Sequence, residues 1–569
     1  MRLPILFLLS LLTCVGSNAF AATKTEANVP VEITFSAKNT HADPFNDTTV
    51  DVIFTEPGGN KLRVPAFWDG GVTWKVRYAS PKTGTHRWIS ECNDKNDRGL
   101  NGVKGSVRIS AYKDWNPFYR HGPIRVASDK RHFEHLDGTP FFWLGDTWWM
   151  GLCHRLHYPD EFSRLADDRV RKGFNVVQIV AGLYPDMFPF DPRGANEAGY
   201  PWETNYTRIN PQYFDATDRR LSYLVQHGIS PCIVGAWGYF LPWMGVEKAK
   251  QHWRYLIARY GAWPVTWCVA GEDNLPWYLA KGFPYDDHEQ AKGWTEVARY
   301  VRETDPFHRM LTIHPTGIGP CDARHAVSDD TVLDYNMLQT PHGQREAVAP
   351  TYNIARAAYE MKPTMAIMNG EASYERLSDT IATEWTRAMF WISMMNGAAG
   401  HTYGANGIWQ CNRREQPHGA SPHGGTYGKI SWDEAMNLPG SKQIGSGKKF
   451  LEHYAWFQFS PMSSTVEWAE KNTDAPISPC SIGNSIITRI IYAISPKPVR
   501  VTGLGPAKDY ECCIYDPVTG DSFPKFTVTA DDKGTLTMGP PIATPTQYNH
   551  DWVFALQLQV DKKTSVEHR

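Results

Sequence analysis

The chain is 569 residues long, 42% hydrophobic and 21% charged, with a formal net charge of -2. That length supplies about two to four domains and a large core. The near-neutral balance excludes a basic field that would draw nucleic acid or an anionic membrane. Aromatic residues make up 13%, including 22 Trp, an excess that suits stacking on sugar rings even if most of these rings belong in a core.

Met1-Arg2 is a short basic start, Leu3 to Val15 is apolar, and Ala19-Phe20-Ala21 is a small-residue cleavage site. This reads as a secretory signal peptide over residues 1–21, placing the protein outside the cell or in a periplasm. Lipid anchoring to an outer membrane through Cys14 is the less favoured alternative, because Leu11-Leu12-Thr13 is a weak match to such a signal. No later stretch is long and apolar enough to span a bilayer. The remaining cysteines form no C-x-x-C pair. Cys153, Cys232 and Cys268 read as core, whereas Cys92, Cys480, Cys512 and Cys513 are available for a bridge of unspecified pairing.

Residues 30–112 read as a β-sandwich. Val31 to Phe35, Val50 to Phe54, Trp74 to Tyr78, Thr85 to Ile89 and Val107 to Ile109 are strand-like, with turns at Pro57-Gly58 and Asp69-Gly70-Gly71. No catalytic constellation appears there. From Phe141 the texture becomes strand–helix alternation. Strands are expected at 141–145, 174–180, 229–234, 265–270, 310–313, 332–338, 364–368 and 399–403. Helices are expected at 159–173, 211–228, 245–260, 288–304, 345–361 and 378–396, with the helix before 332 poorly signalled. Phe162, Leu165 and Val170 form the apolar face of the first helix. Eight such units predict an α/β fold, a (β/α)8 TIM barrel over residues 118–460. No Gly-x-Gly-x-x-Gly follows a strand, which weighs against a dinucleotide fold. Residues 404–440 read as a loop over the barrel mouth and 446–460 as a closing helix. Residues 463–560 read as a C-terminal β-sandwich domain, with β texture at 485–492, 509–515, 516–520 and 552–558.

Barrel strands converge at their C-terminal ends, where function sits. Two of these ends carry Gly-Glu: Gly271-Glu272 after the fourth strand and Gly370-Glu371 after the seventh. Their spacing leaves room for three strand–helix units of about 33 residues each. Two carboxylates facing across the mouth can flank a glycosidic bond, and a separation near ~5 Å would make one a nucleophile and the other an acid/base. Glu272 is assigned as acid/base and Glu371 as nucleophile. Candidate sugar ligands are Asp146, Gln178, His314 and Gln339, with Trp148, Trp149, Trp237, Tyr374 and Tyr403 as aromatic contacts. Asp273, Asn274 and Glu375 flank the pair. His314, His342, His401, His418 and His423 also lie near the mouth, but no H-E-x-x-H or similar tight pair exists, so neither a catalytic metal nor a cofactor is expected. No G-x-S-x-G elbow is present, which weighs against an esterase.

The stretch Phe141-Phe142-Trp143-Leu144-Gly145-Asp146-Thr147-Trp148-Trp149 resembles the first barrel strand of the apiosidase-like glycoside hydrolases, whose barrel is of the clan A type. Trp267 to Glu272 is similar to that family's strand-four Trp-x-x-x-Gly-acid motif, and Asn369-Gly370-Glu371 with Tyr374-Glu375 to its strand-seven motif. Residues 30–112, with Val64 to Gly70, resemble the N-terminal β-domain often fused to these barrels. Tyr515 to Gly520 resembles the C-terminal domain of collagenase-type proteins that share the architecture. The resemblance implies a secreted retaining glycosidase acting on plant or algal polysaccharide, with a carbohydrate as its partner and exo or side-chain cleavage. In one departure, the family pattern has Asp at strand four where this chain has Glu272, followed by Asp273. Asp273 is therefore a rival donor, with Glu272 favoured by its spacing from Trp267. A non-catalytic sugar-binding protein and a polysaccharide lyase or esterase are the alternatives. Sugar, linkage and oligomeric state are not legible in the sequence.

Overall fold

The structure, a computed structural model, describes residues 23–275, 287–317, 319–422, 424–541 and 550–559. The signal peptide read at residues 1–21, Cys14 within it, and His423 lie outside the described residues.

The centre of the molecule is an eight-stranded parallel barrel. Its strands are β1 (Trp143–Thr147), β2 (Val176–Val180), β3 (Ser230–Val234), β4 (Thr266–Cys268), β5 (Leu311–Thr312), β6 (Tyr335–Gln339), β7 (Ala366–Glu371) and β8 (Gly400–Tyr403). Hydrogen-bonded neighbours run β5-β4-β3-β2-β1-β8-β7-β6. The seam between β5 and β6 is held by Asp334 N to Leu311 O at 2.8 Å and Thr312 Oγ1 to Tyr335 O at 2.9 Å. Every residue of β1, β2, β3, β6 and β7 is buried. Helices cover one face of these strands and the barrel interior the other, which is why they read as unbroken apolar runs and not as alternation.

Helices α1 (Asp160–Arg171), α2 (Pro211–Gln226), α3 (Val246–Tyr260), α4 (Asp287–Thr304), α5 (Arg345–Glu360), α6 (Thr383–Met395) and α7 (Pro439–Glu452) surround it. Between β5 and β6 only a 3-10 turn, Asp330–Val332, replaces a long helix among the described residues. On α1, Phe162 and Leu165 are buried, but Val170 is exposed, contrary to the expected face.

The closing helix begins seven residues before the 446–460 expected. Its glycines are unusual inside a helix, since each costs about 1 kcal/mol there. The glycines reflect close packing: a Cβ on Gly445 would lie 1.9 Å from the Lys172 carbonyl oxygen.

In the N-terminal region a five-stranded and a three-stranded sheet face each other. Phe35 meets Trp88 edge-on at 5.7 Å, and Phe54 stacks on Tyr78 at 3.8 Å. Arg77 ties this region to the barrel through an ion pair with Asp218 of α2. The C-terminal β region packs on α6, where Arg387 pairs with Asp551 and Trp391 lies against Tyr492. Two details there differ from the sequence reading. The run 485–492 holds a hairpin turn, with strands Cys480–Asn484 and Thr488–Ala493 on either side and Ser485 at φ 48°. Residues 516–520 are a turn, because Pro517 has no N–H and the Asp516 side chain accepts from Val518 N at 2.8 Å. Cys92, Cys480, Cys512 and Cys513, like the other described cysteines, are free and buried.

Candidate active site

Both Gly-Glu pairs reach the barrel mouth, and both glycines are required by close approach. A Cβ on Gly271 would lie 2.3 Å from the Trp237 ring, and one on Gly370 would lie 2.6 Å from the Met337 side chain. Past β4 the backbone stays tied to its neighbours through Gly271 N to Ala236 O at 2.9 Å and Gly238 N to Gly271 O at 2.7 Å. Glu272 then turns at φ 43°, a left-handed conformation that non-glycine residues seldom adopt. The turn carries its side chain into the cleft, half-buried.

Gln339 links the two carboxylates. Its Nε2 donates to Glu272 Oε1 at 2.9 Å and lies 3.3 Å from Glu371 Oε1. The two oxygens are therefore within about 6 Å of each other, below the ~6.5–9.5 Å that an inverting pair needs for its water. Trp237 Nε1 donates to Glu272 Oε2 at 3.2 Å. Glu371 is held by histidines, with His342 Nε2 2.8 Å from Oε1 and His314 Nε2 3.3 Å from Oε2.

These surroundings split the pair. Burial, reinforced by the charge of Glu371, pushes Glu272 up to about 7, with Gln339 opposing. Burial would raise Glu371 as well, but hydrogen bonds and charge from His314 and His342 outweigh it and bring the carboxyl to about 2. Below about pH 7 Glu272 keeps its proton while Glu371 is ionised.

A cleft of roughly 210 Å³ surrounds the pair, with Trp149, Trp237, Asp186, His342, Tyr374 and Tyr427 in its walls. Trp149 donates to Tyr374 Oη at 3.1 Å and packs edge-on against Trp237 and His314. Tyr427 also lines a second cavity of roughly 660 Å³, together with Ser378, Asn412 and His418 among others.

Of the expected ligands, Trp149, Trp237 and Tyr374 line this cleft, and His314 and Gln339 support the carboxylates from beneath. The others are elsewhere. Asp146 is buried in an ion pair with Arg169 at 2.6 Å and also accepts from Trp148 Nε1, whose ring packs on Phe162 of α1. Gln178 lies inside the barrel, donating to Gly370 O and accepting from Thr402. Tyr403 donates to Glu375 at 2.6 Å behind β8. Asp273 is fully buried, with no side-chain partner on its carboxyl oxygens among the described residues, and burial pushes its pKa well up. Neither Asp273 nor Asn274 lines the cleft. Strand-end position alone cannot tell a side chain aimed into the mouth from one aimed at the helix behind.

Three contributors escaped the sequence reading. His342 was noted only as a possible metal ligand, and its position three residues beyond Gln339 was the available signal. Asp186, at φ 56°, and Tyr427 come from the two loops at 182–207 and 404–440, and Tyr427 Oη donates to Asp186 Oδ1 at 3.0 Å. Of the other histidines, His401 is buried against Phe390 and His418 against Trp409.

A family model described as apiosidase-like, catalytic domain, matches residues 127–458. A second, a domain of unknown function (DUF5060), matches residues 25–93. No curated protein matches. Among solved structures, a glycoside hydrolase shares 22% identity at a TM-score of 0.64, covering 78% of this chain and 98% of its own. A glycoside hydrolase family 5 protein from Bacteroides vulgatus also shares 22% at 0.64, over 78% of this chain and 94% of its own. Another Bacteroides vulgatus protein, described provisionally as a glycoside hydrolase, shares 16% at 0.66, over 94% and 100%. At these identities the structural likeness establishes the fold.

Proposed function

The chain belongs to the apiosidase-like catalytic-domain family and is a glycoside hydrolase, and from that premise we propose that it is a secreted retaining enzyme acting on plant or algal polysaccharide through Glu272 and Glu371. One observation carries the mechanism: two carboxyls meet on a single Gln339 amide in surroundings that drive their proton affinities apart, Glu272 up and Glu371 down. Ionised Glu371 attacks the anomeric carbon, while Glu272 gives its proton to the leaving oxygen. The bond from carbon to leaving oxygen breaks as the bond to Glu371 forms. Glu272, now a carboxylate, takes a proton from water, which attacks the same carbon and frees Glu371. Glu272 lines the cleft and the fully buried Asp273 does not, which favours Glu272 as the donor.

The first cleft suits one sugar ring, with Trp149 and Trp237 as aromatic walls. Asp186 adds a third carboxylate there, which suits hydroxyl donors and repels a carboxylated sugar. The adjoining cavity beyond Tyr427 has room for the rest of the chain. Residues Met1 to Ala21 support secretion.

The test is Glu371→Gly, screened with wild type on plant and algal polysaccharides. Loss of turnover, regained with azide to give a glycosyl azide of inverted anomeric configuration, is the expected result. Full activity in Glu371→Gln would overturn the assignment.

A further inference from the structure

A separate cavity of roughly 360 Å³ lies at the other end of the barrel, where the N-terminal β region meets the segments leading into β4 and β5. Most of its lining is apolar, including Leu62, Phe118, Leu136, Pro264 and Phe307, and Arg309 lines it too. Arg309 is only 8% exposed. Its Nε donates to Gly261 O at 2.9 Å. Its two Nη atoms have no hydrogen bond or ion pair among the described residues, yet they are not sealed off from the cavity.

The surrounding carboxylates are already committed. Asp305 accepts from Phe307 N, Trp267 Nε1 and Arg309 N, each at 2.9 Å. Glu56, the one carboxylate in the lining, is held by Lys82 at 2.7 Å and Ser80 at 2.9 Å. Arg125 in the lining pairs with Glu134. Elsewhere, buried Arg169, Arg220, Arg259 and Arg387 all meet carboxylates. Arg155 and Arg489 do not, but their Nη atoms donate to Gln416 O and to Thr465 and Ser485. Arg309, whose guanidinium carbon lies 5.4 Å from the centre of the Phe307 ring, lines the cavity with neither Nη atom bonded among the described residues. Burial pulls its pKa down to about 10.

The charge of Asp305 opposes that burial only in part, and a buried guanidinium with no acceptor on its Nη atoms is costly. Its paired N–H groups match the two oxygens of a carboxylate. Apolar walls with one placed polar group are the usual design of a small-molecule site. We propose that this cavity binds a small carboxylate with an apolar body, the carboxylate on the Nη atoms of Arg309 and the body against Phe118, Phe307, Leu62 and Leu136. Such a ligand touches both the N-terminal region and the barrel, so it stabilises their union by mass action. The site is independent of Glu272 and Glu371.

Thermal unfolding and calorimetric titration of the full chain test it, with benzoate and hexanoate as probes, their amides as neutral controls and inorganic phosphate as a compact anion. Each carboxylate should raise Tm with concentration, and neither the amides nor phosphate should match it. Arg309→Met should weaken binding about 10–100-fold. Leu136→Trp, at a half-exposed wall position, should weaken it by filling the space while leaving Arg309 in place. If Arg309→Met does not fold, the acid–amide comparison and Leu136→Trp decide. Amides or phosphate binding as well as the carboxylates, binding that survives either substitution, or no binding of either carboxylate at millimolar concentration would each overturn the proposal.

Discussion

The coupling between the two glutamates can be measured without knowing the substrate. Glu272 is pushed up to about 7 by burial and by the charge of Glu371. Replacing Glu371 with Gln removes the charge and keeps the shape. Two carboxylate charges about 6 Å apart repel by about 3 kcal/mol at an effective dielectric of ~20. That corresponds to about 2 pH units. Glu371→Gln should therefore carry the Glu272 titration from about 7 down toward 5, with burial keeping it above an ordinary carboxyl. Trp237 provides the readout, since its indole donates to Glu272 Oε2 at 3.2 Å. A tryptophan fluorescence titration from about pH 4 to 9 should show a component with its midpoint near 7, absent from Glu272→Gln and from Trp237→Phe. In Glu371→Gln the midpoint should fall. An unmoved midpoint would refute the electrostatic coupling, and a wild-type titration with no component dependent on Glu272 would refute the raised pKa itself.

With a substrate in hand, kcat/KM should decline as pH rises through about 7, when Glu272 loses its proton, and as pH falls toward about 2, when Glu371 gains one. His342→Ala should shift only the acid limb, upward, because it removes a 2.8 Å partner of the Glu371 carboxylate. A shift of the basic limb alone would contradict this. Stability should respond to Glu272 with a definite sign. Its folded pKa lies above its unfolded value of 4.5, so its contribution is full below 4.5 and is lost as pH rises through 7. Glu272→Gln should therefore exceed wild type by about 3 kcal/mol in denaturant unfolding above pH 7, and match it below 4.5. Equal stability at both pH values would rule this out. Asp146→Asn should cost about 1–3 kcal/mol, because it removes the carboxylate charge 2.6 Å from the buried Arg169 Nε and leaves Asp168 as the remaining carboxylate partner. If it instead raised KM in a fully stable protein, Asp146 would be a sugar ligand after all.

What the sequence by itself determined was whatever is written in local periodicity. Buried parallel strands are short apolar runs, and amphipathic helices repeat their apolar face every three to four residues. Eight such alternations were legible, as were the two strand ends bearing Gly-Glu. Each of those glycines sits before an acid because a neighbouring strand crowds it, and that crowding leaves a local mark. The closing helix starts at Pro439, earlier than local pattern suggests, and its Gly445 answers to the Lys172 carbonyl, more than 260 residues earlier in the chain. The roles of individual polar residues needed the tertiary structure for the same reason. Asp146 looked like a sugar ligand until Arg169 was found behind it. Gln339 looked like one of many strand-end polar groups until both glutamates were found on its amide. The difference between Glu272 and Glu371 also arises in three dimensions. They are the same residue in the same local motif, and burial together with His314 and His342 sets them apart. Strand periodicity is a property of neighbours in the chain, whereas a carboxyl's proton affinity depends on charges and hydrogen bonds that only the closed barrel brings within reach.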